Sequence, residues 1–145
     1  MSEGLRNLQQ RCGCTPDGQF GPNTAKGIMK HYELSQNRAA HFLGQVCIES
    51  MNFQAVEENL NYSVDALMKV FGRYFKTPAD AKPYSKNPRA LANYVYMDKN
   101  RSEKSKLGNV NTDDGWIFRG RGFLQITGRA NVRKFASDMR LPDVM

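Results

Sequence analysis

The sequence predicts a mainly α-helical domain with little or no sheet. Apolar residues recur at the three-and-four spacing of a helix face over 36–50 and again over 63–75. Ser35, Ser63 and Pro88 stand where helix starts are expected. The short run Phe123–Thr127 alternates with the two-residue period of a strand or a buried extended segment.

Taken in order, the first 24 residues form an extension that is turn-rich after a short helix-like start at Leu5 and Leu8. Pro16-Asp17-Gly18 and Gly21-Pro22-Asn23 are turn signals, and Asn23 or Thr24 is placed to cap a helix over 25–32. Ser35 caps the next helix, whose expected apolar face is Ala39, Phe42, Leu43, Val46 and Cys47. Ser63 opens a helix over 63–75 in which Leu67, Met68, Val70, Phe71 and Phe75 pack, and Thr77-Pro78 breaks it. Pro88 opens a helix carrying Leu91, Ala92, Tyr94 and Val95. Residues 98–116 are polar and glycine-bearing, hence a loop or flap, and a last helix runs over about 129–139. There are no internal repeats.

A chain of 145 residues suits a single domain with a real core. Its apolar runs are too short for a membrane span. Met1-Ser2-Glu3-Gly4-Leu5-Arg6 lacks the charged-then-apolar layout of a secretory leader, so synthesis into a cytoplasm is expected. The cysteines, Cys12, Cys14 and Cys47, are odd in number and imply no closed disulfide framework. Cys12-Gly13-Cys14 is too tightly spaced for a zinc knuckle, and His31 and His41 stand apart, so no metal is expected. The net charge of +7 favours anionic partners such as nucleic acid, an anionic membrane or an acidic wall polymer. The densest basic run, 99–106, is either a solvated loop or a polyanion contact. Aromatic and basic residues are not interleaved, which argues against nucleic acid.

Two carboxylates stand out. On a helix turning about 100° per residue, Glu49 lies about 20° beyond Phe42, at the rim of the expected apolar stripe. Partial desolvation there favours the neutral carboxyl and raises its pKa, as a general acid requires. The alternative is a helix-end side chain that reaches water. Glu58 follows nine residues later. Nine residues of continuous helix rise about 13.5 Å and turn half-way round, so the two would point apart. They can act together only if the helix ends near 51–53 and the chain doubles back. Asn52 is a tolerable helix end, and Glu57 competes with Glu58 for the second role.

The second constellation is Arg119-Gly120-Arg121-Gly122 leading into Gln125-Ile126-Thr127-Gly128. The alternating glycines allow close backbone approach. In an extended segment Gln125 and Thr127 share a face, where an amide and a hydroxyl can hold a water or sugar hydroxyls. The pattern lacks the ending of a phosphate loop and the spacing of a dinucleotide fingerprint. Arg119 and Arg121 read equally well as members of surface or structural ion pairs.

Together, Glu49-Ser50, the run Glu58-Asn59-Leu60-Asn61-Tyr62-Ser63, and the Arg-Gly-Arg-Gly to Gln-Ile-Thr-Gly segment resemble the family 19 glycoside hydrolases, more closely the phage endolysin and bacterial chitinase-like branch. The resemblance covers about residues 24–140. It implies a lysozyme-like helical fold and inverting hydrolysis of β-1,4 linkages between N-acetylated sugars, with no cofactor. It implies Glu49 as general acid and Glu58 as the base that activates water, for which an inverting geometry asks roughly 6.5–9.5 Å between carboxyls. Gln125 and Thr127 would position that water and the sugar, Asn61 and Tyr62 would line the cleft, and Arg121 would bind substrate.

The chain departs from the family pattern at Ile48, where His is usual, at Met51 and Asn52, where small glycines are usual, and at Val132, where an aromatic is common. Family members generally continue with further helices beyond the segment that ends here. Asp17–Thr24 also resembles the core of peptidoglycan-binding repeats, but a turn and helix cap explain it better. The expected function is a monomeric, muramidase-type endolysin that cuts peptidoglycan from the host cytoplasm after membrane breach. A chitinase and an inactive wall-binding relative are the alternatives.

Overall fold

The computed structural model describes residues 3–138 and residue 140. It is mainly helical, and no sheet forms among the described residues. The chain divides into two compact units. The first comprises Met1–Glu57 with Arg121–Gln125, and the second Glu58–Gly120 with Ile126–Met145.

The first unit carries α1 (Glu3–Arg11), α2 (Pro22–His31) and α3 (Gln36–Glu49) around Leu5, Ile28, Ala39, Leu43, Val46 and Phe53. Ser35 caps α3 as expected, accepting from the Arg38 N–H at 3.4 Å. α2 begins earlier than expected. Pro22 needs no N–H partner at a first helical position, so the helix starts there behind Gly21, and Thr24 is buried inside it.

The turn before α2 is organised around Gln9, a side chain only 1% exposed. Its Nε2 donates to Asp17 Oδ1 (2.7 Å), the Gln19 carbonyl (3.0 Å) and Thr24 Oγ1 (3.0 Å). Its Oε1 accepts from the Gly18 N–H at 2.8 Å. The Gln19 N–H, and then the Gln9 amide, hold the Asp17 carboxyl below its ordinary range. The Asp17–Thr24 motif thus folds as a turn tied to a buried amide, and Phe20 stacks on Phe53 at 4.4 Å between ring centroids.

The second unit carries α4 (Val64–Val70), α5 (Pro78–Ala81), α6 (Pro88–Val95), α7 (Asp114–Ile117) and α8 (Arg129–Asp138), with 3-10 turns at Lys82–Tyr84, Asp98–Asn100 and Glu103–Ser105. Its core is Leu60, Leu67, Phe75, Ala81, Leu91, Ala92 and Val95, flanked by Tyr62, Tyr74, Tyr84, Tyr94 and Trp116. Each such Leu or Phe contributes about 1.5–3 kcal/mol by leaving water. α4 is shorter than the expected 63–75 helix, and Val70 is 57% exposed rather than packed. Thr77 breaks the path and caps α5 through a reciprocal bond pattern with Asp80.

Segment 98–116 is irregular, as its composition suggests, but buried polar side chains tie it down. Asp98 accepts from the N–H groups of Leu107 (2.8 Å) and Gly108 (3.1 Å). Asp114, fully buried, accepts from the Val110 and Asn111 N–H groups at 3.0 and 2.9 Å. It also meets the Arg129 guanidinium at 2.9 and 2.5 Å. That guanidinium first, aided by the N–H donors against the opposing effect of burial, holds the Asp114 carboxyl below its ordinary range. No described helix is long and apolar enough to cross a membrane.

Candidate active site

α3 ends at Glu49, two residues before the break near 51–53 that the acid–base reading requires. Ser50 closes the helix. It is fully buried, and its hydroxyl donates to the Val46 carbonyl at 2.5 Å and accepts from the Phe53 N–H at 2.9 Å. Met51, Asn52 and Phe53 then turn the chain through three successive left-handed residues, with φ of 51°, 57° and 64°. Left-handed backbone costs roughly 1–2 kcal/mol per non-glycine residue. Burial of the Phe53 ring, 1% exposed between Phe20 and Phe123, offsets that strain. The positions where family members usually carry small glycines are therefore ones whose backbone favours glycine.

Glu49 itself differs from expectation. The buried face of α3 is Ala39, Leu43, Val46 and Ser50, whereas Phe42 is 47% exposed. The apolar stripe is narrower than the periodicity suggests, and Glu49, one step beyond Phe42, is exposed rather than partly desolvated. Its Oε1 accepts from the Gln45 amide, one helical turn back, at 2.8 Å.

Glu58 lies in the second unit in a built setting. Its Oε1 accepts from the Gly120 N–H at 2.6 Å, and its Oε2 accepts from the Tyr96 hydroxyl at 2.6 Å. Its own N–H donates to the Gly120 carbonyl at 3.1 Å, so the two residues are tied reciprocally. Burial first, then the bond to Glu58, pushes the Tyr96 phenol far above its ordinary range, which keeps it a proton donor. Tyr96 escaped the sequence reading.

Glu57, the competitor for the second role, belongs to the first unit. It pairs with Arg121 through an isolated antiparallel bridge and a 3.7 Å contact between half-exposed side chains. Arg121, expected at the substrate, thus has a carboxylate partner within its own unit. Arg119 is 7% exposed, with its guanidinium 3.8 Å from the centre of the Trp116 ring and Nη1 donating to the Trp116 carbonyl at 2.8 Å.

The 123–127 segment is not extended. Residues 122–125 form a turn in which the Gln125 N–H bonds the Gly122 carbonyl at 3.1 Å. Gln125 has a φ of 50°, and its amide donates to the same carbonyl at 2.9 Å. The two-residue alternation therefore does not put Gln125 and Thr127 on one strand face, and they fall in different units. In the second unit, Asn61 is exposed, with its N–H on Asn59 Oδ1 at 2.9 Å. Tyr62 is half-buried, edge-on to Phe71 at 5.4 Å. The Thr127 carbonyl accepts from the Asn131 amide at 2.8 Å.

A carboxylate held at both oxygens by neutral donors can orient and deprotonate a water. The chain is 36% identical over 122 residues to a glycosyl hydrolase family 19 domain-containing protein of Haemophilus influenzae. The match covers 79% of this chain and 58% of the relative, so the chain spans little more than half of that protein's length. No family model matches the chain.

Proposed function

We propose that this chain is a muramidase-type hydrolase of family 19 that cuts β-1,4 bonds between N-acetylated sugars in peptidoglycan, in the manner of an endolysin. The observation that carries the reading is the Glu58 carboxylate, held by Tyr96 and Gly120 with acceptor capacity to spare. Kinship with a family 19 domain protein supports the reaction class.

In this reading Glu58 takes a proton from a water as that water attacks the anomeric carbon, and Glu49 gives a proton to the departing glycosidic oxygen. The bond to the leaving sugar breaks and configuration inverts. Glu49 is exposed in the free chain. The bound sugar is then what displaces water from it. Asn61, Tyr62, Arg121, Gln125 and Thr127 contact the glycan or the water. The charge of +7 favours an anionic wall over neutral chitin, reached from the cytoplasm after membrane breach.

Purified peptidoglycan and chitin oligomers, digested separately and resolved by mass spectrometry, test the proposal. New reducing ends on muramic acid are expected. Products from chitin alone would replace the muramidase by a chitinase, and binding to either polymer without products would make the chain an inactive wall binder.

A further inference from the structure

We propose that Tyr96 is a positioning residue that fixes the orientation of the Glu58 carboxylate, acting with the Gly120 N–H. The inference rests on the reading of Glu58 as the base, and the contacts behind it lie within the second unit. A carboxylate on a free side chain rotates about its last bond, and one donor per oxygen removes that freedom. Tyr96 and Gly120 supply those donors from opposite oxygens, each at 2.6 Å. A carboxylate offers about four lone-pair sites, so sites remain on both oxygens for a water.

The phenol is itself held from behind. The Tyr96 carbonyl accepts from Asn109 Nδ2 at 2.9 Å, and Asn109 is fully buried. Asn109 Oδ1 accepts from the Arg129 N–H at 2.9 Å, and its carbonyl accepts from the Asp98 N–H at 3.0 Å. Asp98 and Asp114 in turn anchor segment 98–116. The polar loop that looks like a flap in sequence thus has a physical task, which is to brace the strand of chain bearing Tyr96. A tyrosine suits the position because it is neutral and rigid, and because it remains a donor at any working pH.

Tyr96→Phe keeps the ring and removes the one donor. Carbon-13 NMR of the glutamate carboxyls at one neutral pH, with the Glu58 signal assigned from Glu58→Gln, should show that signal displaced in Tyr96→Phe while the other glutamate carboxyls hold theirs, because a donor to one of its oxygens is lost. On a substrate the wild type cleaves, kcat should fall about 10–100-fold with KM within about twofold, the signature of a misaligned base rather than lost binding.

An unmoved Glu58 carboxyl signal in folded Tyr96→Phe overturns the inference. The NMR readout needs no substrate, so a wild type inactive on every glycan would defeat the proposed function while leaving this inference to stand or fall on that signal. If Tyr96→Phe does not fold, the Tyr96 phenol is followed in wild type and Glu58→Gln by ring carbon-13 shifts. Those shifts, read at neutral pH, should differ between wild type and Glu58→Gln, where the carboxylate acceptor is gone, and unchanged shifts overturn the proposal.

Discussion

Replacing Arg129 by Met leaves the carboxylate of Asp114 buried without its counter-ion. Asp114 is fully buried and Arg129 nearly so, with side-chain exposures of 1% and 13%. The bonds to the Val110 and Asn111 N–H groups survive the change, while both guanidinium bonds are lost. Removing one partner of a buried pair costs about 3–5 kcal/mol, because the remaining charge is left uncompensated. Loss of the guanidinium from the Phe118 ring, now 4.6 Å from its centre, adds about 0.5–1 kcal/mol.

Urea unfolding followed by Trp116, the only tryptophan in the chain and a member of α7, reads this locally. The sign with pH is also fixed. The Asp114 carboxyl is depressed in the fold, so its contribution is fully present above the unfolded value of about 3.9 and is lost as pH falls through the folded one. Without Arg129, burial favours the neutral acid instead, and the variant loses less on acidification. The stability gap between wild type and Arg129→Met should therefore be largest at neutral pH and narrow below about pH 4. A gap under about 1 kcal/mol at pH 7, or one that does not change on acidification, would refute the reasoning.

Phe53→Ala should cost about 3–5 kcal/mol, since it empties a site between two aromatic rings and leaves the left-handed turn unsupported; thermal unfolding of the first unit reads it. Two glycines should respond oppositely to Ala. At Gly115 a Cβ would meet the Ala92 carbonyl oxygen at 2.5 Å, so about 1–3 kcal/mol should be lost. At Gly44, within α3, a Cβ meets nothing within 4 Å, so about 0.5–1 kcal/mol should be gained, and matched denaturation curves decide both. Thr77→Ala removes the capping box of α5 and should cost about 1 kcal/mol in the same assay.

Much of the helical frame was legible because it rests on local chemistry. Ser35 and Ser63 cap α3 and α4 through bonds to N–H groups three residues on, and Pro88, with its φ already fixed, opens α6 behind the Asn87 cap. The break after Glu49 was legible as a requirement, since a polar run cannot extend an apolar stripe. That it would pass through Met51, Asn52 and Phe53 in left-handed backbone was not, because local propensity disfavours it and only the burial of Phe53 sustains it. The turn at 122–125 failed for a similar reason. Its alternation mimicked a strand, while the Gln125 N–H was taken by the Gly122 carbonyl. Tyr96 was beyond local reasoning, being 38 residues from the carboxylate it touches. The burial of Asp98 and Asp114 comes from contacts with residues that periodicity does not mark.

The central claim is that Glu49 and Glu58 divide the acid and base work of glycan cleavage. Release of reducing ends from purified peptidoglycan by wild type, Glu49→Gln and Glu58→Gln, each shown to be folded and to bind the polymer, tests it most directly. Release by wild type is expected, with a fall of at least about 100-fold in each variant and binding retained. Full activity in either variant would contradict it.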